Sequence, residues 1–178
     1  MVGMGRIKVV AYWKWTENET GTRLLDAGYL LTGMARGTVS ETYHAALAHG
    51  LTEGGDATRV GVVRRPTAWF RSEIDENVPE LSPPEELLME FKQRHEDLKM
   101  QGMCDEGPHN AVWEELRFEE QYREYLCEST AVESALSELV ERVSKGENLV
   151  LVCFEGDNKR CHRHTLVSEI ENRISPNA

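Results

Sequence analysis

The chain is 178 residues long and carries 31 Asp and Glu against 20 Lys and Arg, a formal charge of −11. That length suits one domain with a real core, and 40% apolar with 29% charged residues describe a soluble, folded chain. No apolar run approaches the length that spans a bilayer, the N-terminus lacks the apolar stretch of a secretory leader, and the negative charge argues against broad, non-specific nucleic-acid binding.

Four cysteines, Cys104, Cys127, Cys153 and Cys161, are too sparse for a secreted disulfide scaffold and read as free thiols in a reducing cytoplasm. Lysine is scarce, six against 14 Arg, a balance that suits a halophilic host.

Ile7–Trp13 is β-branched and aromatic and predicts a strand. Glycines punctuate residues 16–57, within which Ser40–Leu51 predicts a short helix. Arg59–Arg64 predicts a second, buried strand. Ser82-Pro83-Pro84-Glu85 reads as a capping box with Ser82 at the N-cap, ahead of a stripe of Leu87, Leu88, Phe91 and Leu98. A polar loop is expected over 101–110, then a helix over Trp113–Leu126 with Phe118, Tyr122, Tyr125 and Leu126 near one face. Thr130 and Glu133 repeat the capping pattern before a stripe of Val132, Leu136, Leu139, Val140 and Val143, which Gly146 ends. Leu149–Phe154 is the strongest strand signal. A Glu-Gly-Asp-Asn turn and a final helix carrying Leu166, Val167, Ile170 and Ile174 follow, and Ser175–Ala178 reads as a tail. Strands alternating with helices predict a single α/β domain over 1–178, three-layer in type, with a small, mostly parallel sheet.

The chemistry concentrates in Cys153–His164. Cys153 ends a strand and Cys161 opens a helix, the crevice where open α/β sheets bind ligands. A helix N-terminus attracts anions and lowers a thiol's pKa, and Lys159, Arg160, Arg163 and His162 add charge. Cys161 is therefore the candidate nucleophile, with His162 or His164 as acid/base, Arg163 as anion clamp, and Glu155 or Asp157 orienting the base. The plainer reading makes Cys153 a core residue, since an apolar strand buries cysteine without any chemistry. His162 and His164, two apart, cannot share a helix face.

A phosphatase-type loop fits poorly: counted from Cys153, Lys159 stands at its Arg position, Arg160 comes one late, and Glu155 and Asp157 would repel phosphate. Metal binding by Cys153, Cys161, His162 and His164 has suitable donors but no standard spacing and no paired CxxC, so no metal and no cofactor are expected. Arg64 and Arg65, ending the second strand, would reach the same edge as Cys161 and build a cationic pocket with Trp69 and Arg160. Alternatively they pair with Glu73, Asp75, Glu76 and Glu80, and Trp69 is core.

Leu149–Ile170 resembles the terminal motif of the domain-of-unknown-function 488 family, a strand ending in Cys-x-Glu followed by Cys-His-Arg at a helix start. Val60–Trp69, Glu80-Leu81-Ser82-Pro83, Phe91-Lys92 and Trp113–Leu126 resemble the family's second strand, helix entry, aromatic-Lys helix end and W-x-x-F-x-x-x-Y segment. The resemblance covers about 58–174 and leaves 14–57 and 101–110 as elaborations. It implies a single α/β domain and carries over Arg64, Cys153, Glu155, Cys161, His162 and Arg163 as site positions, without an established activity.

Together these features predict a cytoplasmic protein with a Cys161-centred site for a small anionic ligand. A thiol-dependent hydrolase or transferase is the leading expectation. The alternative is a non-catalytic module that uses the same pocket for a nucleotide, a nucleic-acid end or a partner's acidic group. A metal-binding domain is the third. Neither a membrane partner nor an oligomeric state is indicated.

Overall fold

A computed structural model of the protein describes residues 10–17, 23–30, 36–52, 55–102 and 106–175, with backbone alone for 10–17, 23–30 and Glu106. The chain divides into two compact units, Met1–Ala35 and Arg36–Ala178. In the first, β1 (Val10–Glu17) and β2 (Arg23–Leu30) form an antiparallel ribbon running from Val10 opposite Leu30 to Glu17 opposite Arg23. The strand expected at Ile7–Trp13 is thus present from Val10 onward, and its first three residues lie outside those described.

The second unit is mixed α/β. Its strands are β3 (Val39–Tyr43), β4 (Thr58–Gly61), β5 (Glu76–Asn77) and β6 (Leu149–Cys153), ordered β3-β6-β4-β5 with every neighbouring pair parallel. Its helices are α1 (His44–Ala48), α2 (Ala68–Arg71), α3 (Glu85–Met100), α4 (Glu106–Glu115), α5 (Phe118–Glu128), α6 (Thr130–Ser144) and α7 (His162–Ile174). None of the described helices is long and apolar enough to cross a membrane.

Both faces of β6 are covered, which is why its sequence is an unbroken apolar run rather than an alternating one. Leu149, Leu151 and Val152 are wholly buried, each worth about 1.5–3 kcal/mol of apolar burial. The α6 stripe packs as its spacing predicts: Val132, Leu136, Leu139 and Val143 are buried, with Val140 half-buried beside them. Gly146 takes the left-handed conformation (φ 98°) that ends the helix, and the Glu147 N–H bonds back to the Arg142 carbonyl.

Several boundaries differ from expectation, among them the second strand, which ends at Gly61 rather than Arg64. Val39–Tyr43 is a strand rather than the start of a helix over Ser40–Leu51; only His44–Ala48 is helical. As an edge strand it hides Thr42 while leaving Ser40 exposed, so its sequence looks too polar for the sheet. Ser82 is not an N-cap: α3 starts at Glu85, and the Ser82 hydroxyl donates to the Pro79 carbonyl. The reason is local, because a residue preceding proline is driven out of the helical region, so Pro83 cannot begin a helix ahead of Pro84. Thr130 is likewise inside α6, with Ser129 at the cap and no side-chain cap bond. Finally, the loop expected over 101–110 is shortened by α4, and Trp113–Leu126 is two helices rather than one. They are separated at Arg117, which adopts φ 48°.

Residues 36–57, expected as part of an elaboration, supply β3 and α1 to the larger unit.

Candidate functional site

The carboxyl end of β6 and the start of α7 bring Cys153, Cys161 and His162 together. All three are buried, at 5%, 2% and 8% exposure. Cys161 is the N-cap of α7, so His162 in the first turn turns back toward the strand. Its Nε2 lies 2.9 Å from the Val62 carbonyl oxygen, just past β4. A carbonyl only accepts, so Nε2 carries a proton and donates it there. That leaves Nδ1 facing the sulfurs, 3.6 Å from Cys161 Sγ and 3.9 Å from Cys153 Sγ. The Tyr122 ring packs edge-on against the imidazole, and its hydroxyl donates to the Leu81 carbonyl.

This geometry makes the two thiols unequal. A hydrogen bond from the Cys161 thiol draws the Cys153 thiol well below its ordinary value of 9.0, helped by the His162 charge and opposed by burial. Burial pushes Cys161 well above that value, and the hydrogen bond to Cys153 and its charge push further. Burial works against a charge on His162, yet its interactions with Cys153 and the Val62 carbonyl together raise it. These directions favour negative charge on Cys153 over Cys161, with His162 as its positive neighbour. Burial, with the charges of Cys161 and Cys153, holds the Tyr122 phenol well above its ordinary value, so it stays a neutral donor.

The trio forms the floor of a cavity of about 360 Å³. Phe91, Trp113 and Phe118 supply an aromatic wall, while Arg64, Arg65, Lys92, Lys159 and Arg160 supply cations. The expected meeting of Arg64 and Cys161 on one crevice is present. The cations differ in what already neutralises them. Arg65 pairs with Glu85 at 2.5 Å, Arg160 with Glu114 at 2.5 Å and Lys159 with Glu155 at 3.4 Å. Arg64 instead donates to the carbonyls of Pro83 (2.9 Å) and Ser82 (3.2 Å), and it has no carboxylate partner among the described residues. Among the described residues, neither arginine pairs with Glu73, Asp75, Glu76 or Glu80: Arg65 takes Glu85 and Arg64 the two carbonyls. Trp69 is 54% exposed rather than core, with its ring against His44 and Phe154.

Arg163 sits elsewhere than an anion clamp would. Its guanidinium is fully buried and lines neither this cavity nor the smaller one beside it. It donates to the Glu155 carbonyl and to Asp157 (3.3 Å). Its Nε lies 3.5 Å from Glu41 Oε2 in β3, an ion pair without hydrogen-bond alignment. Its charge is therefore met inside the protein, and it fixes the 154–160 loop. His164 turns away from His162 and pairs with Glu41, as the two-residue spacing requires. Glu155 reaches Lys159 and lies 3.8 Å from His109 Nδ1, away from the His162 ring nitrogens, whose hydrogen-bond partners are Val62 and the two sulfurs.

Two site-building residues escaped the sequence reading because their segment was taken as loop. His109 and Asn110 of α4 grip the 158–160 backbone: His109 Nε2 donates to the Arg160 carbonyl (2.8 Å), and Asn110 bonds the Arg160 N–H (3.0 Å) and the Asn158 carbonyl (3.2 Å). The available signal was helical spacing, since His109 stands four residues before buried Trp113. Lys92 also lines the cavity and has no carboxylate partner among the described residues.

Chemically, the trio can form a covalent bond to an electrophile, exchange electrons as a dithiol, or offer donors to a soft metal ion. Its three donor atoms lie within 4.8 Å of one another, one short of a closed tetrahedral set.

A family model described as DUF488-N3a, the active DUF488-N3 subclade, matches residues 43–174, well over half of the chain and every cavity residue named above. No curated protein and no solved structure matches the chain.

Proposed function

The chain belongs to the DUF488 family, and from that premise we propose that it is a thiol-dependent enzyme acting on a small anionic substrate, with Cys153 as nucleophile. The observation that carries this reading is the His162 imidazole. Its Nε2 proton is committed to Val62 and its Nδ1 is aimed at both sulfurs on the floor of a cationic cavity. An activated thiolate beside its base is the signature of nucleophilic catalysis, and the "active" description of the matched subclade points the same way.

In the proposed reaction Arg64 and Lys92 hold the anionic group, and the aromatic wall excludes water from the remainder. The Cys153 sulfur attacks an electrophilic carbon, and the leaving group departs with the proton from His162 Nδ1. Neutral His162 then deprotonates water, for hydrolysis, or another acceptor, for transfer, and the Cys153–substrate bond breaks. Cys161, the nucleophile expected from the sequence, acts here as a donor that stabilises the Cys153 thiolate.

Alkylation tests this without a known substrate. In protein carrying Cys104→Ser and Cys127→Ser, iodoacetamide should label Cys153 at pH 6.5 about tenfold faster than a free thiol of pKa about 8.5. His162→Gln should remove most of that advantage. Arg64→Ala with Lys92→Ala should slow the anionic reagent iodoacetate while sparing neutral iodoacetamide. An ordinary thiol pH profile at Cys153, or preferential labelling of Cys161, overturns the assignment.

A further inference from the structure

Two cysteines share this floor, whereas one thiolate suffices for covalent catalysis. Cys153 and Cys161 hold their sulfurs within 4.8 Å of each other, and both are free thiols. The segment between them is a loop containing Gly156, where added side-chain bulk would meet only Asn158 Oδ1 at 3.3 Å and Tyr43 at 4.0 Å. A second cavity of about 200 Å³ also opens on Cys161, beside His164, Thr165 and Ser168. Cys153 is absent from its lining. Cys161 thus lines both of these cavities and Cys153 the larger one.

We propose that Cys153 and Cys161 are a peroxide-reactive pair, in which a hydroperoxide oxidises Cys153 and Cys161 resolves it to a disulfide. The inference goes beyond the catalytic reading, because the pair would respond to peroxide even if the cavity bound its ligand without turnover.

The chemistry balances with groups already in place. The Cys153 thiolate attacks the terminal oxygen of the hydroperoxide and the O–O bond breaks. Cys153 becomes a sulfenic acid, and the alkoxide leaves as an alcohol with the proton of His162 Nδ1. Sulfur loses two electrons and the peroxide gains them. Neutral His162 then takes the Cys161 proton, and the Cys161 sulfur attacks the sulfenic sulfur. The S–S bond forms as the S–O bond breaks, and hydroxide leaves as water with that proton.

Reduction runs by a different door. An external dithiol entering the second cavity attacks Cys161, and the S–S bond releases Cys153, the better leaving thiolate because its conjugate acid is the stronger. The reductant's second thiol then frees Cys161, and the reductant departs as a disulfide carrying the two-electron oxidation. The substrate-side cavity need not be empty for this step.

The test uses the full chain with Cys104→Ser and Cys127→Ser, treated with a slight excess of hydrogen peroxide and read by peptide mass before and after dithiothreitol. The expected product links the Cys153 and Cys161 peptides with loss of two hydrogens, and dithiothreitol restores both thiols nearly completely. Adding Cys161→Ser should divert Cys153 to the sulfinic acid and cut thiol recovery to about a tenth. No cross-link in the protein that keeps both thiols overturns the proposal, whatever the fate of the Cys161 variant. So does a cross-link forming no faster than peroxide consumes free cysteine. Because this readout is a bond rather than a rate of labelling, it can fail while the alkylation profile of Cys153 holds, and the reverse.

Discussion

The two ends of β6 make a useful contrast. At the amino end, polar groups saturate one another. Arg142 of α6 grips Glu147 through two nitrogens (2.9 and 2.8 Å) and reaches Glu76 of β5, and the Thr58 hydroxyl donates to Glu147 at 2.7 Å. Gly37 lies so close to this turn that a Cβ there would stand 1.9 Å from the Glu147 carbonyl oxygen. At the carboxyl end, two thiols and an imidazole face a cavity. The same strand is fastened at one end and, in the proposed reading, reactive at the other, and the fastening is what lets that end be left partly unsatisfied.

Substitutions should separate the two ends. Arg163→Leu is expected to have the largest effect, because it leaves Glu41 Oε2 and the Glu155 carbonyl without their cation and frees the loop between the cysteines. A loss of about 3 kcal/mol in urea unfolding is expected, the low end for a broken buried pair, since Asp157 is in water and Glu41 keeps His164. If stability is unchanged, the loop is held by α4 alone. Gly37→Ala follows, at about 2 kcal/mol, because its clash is with backbone and β3 must shift. Cys153 labelling should keep its pH profile in that variant. A changed profile would mean that the two ends are coupled through the sheet.

Glu147→Gln should cost the least, about 1 kcal/mol, since the pair is more than a third exposed on the carboxylate side. Its pH signature is the sharper readout. The Arg142 hydrogen bond holds the Glu147 carboxyl at about 2, against an ordinary 4.5. The folded protein therefore resists a proton that the unfolded chain accepts, so the stabilisation is full above pH 4.5 and is lost as pH falls toward 2. The variant should lack that part of the acid unfolding profile while matching the parent's shape near neutrality.

The strand ends were not equally legible in the sequence. β6, the α6 stripe, the Gly146 stop and the position of Cys161 at a helix start all follow from local spacing, and Arg64 reached the predicted crevice. The features that were hidden depend on distant partners. Arg163 read as a free cation because Glu41 is far away in a strand whose polar residues disguised it. His109 and Asn110 read as loop because a Gly-Pro pair preceded them, although proline is tolerated in a first helical turn. Cys153 reads as packing and does lie in the buried core; what the sequence could not show is the His162 nitrogen 3.9 Å from its sulfur.

The Val62 hydrogen bond to His162 has a consequence for how the cavity presents itself to an arriving anion. With Nε2 committed, the remaining two protons are shared among Nδ1 and the two sulfurs, one of them always without. In the proposed charge arrangement the Cys153 thiolate and the His162 imidazolium cancel, so the floor is electroneutral and can stay buried without borrowing charge from the rim. In the proposed reading Arg64 and Lys92, which line the cavity, attract an anion at the entrance, and the floor adds no net repulsion below it.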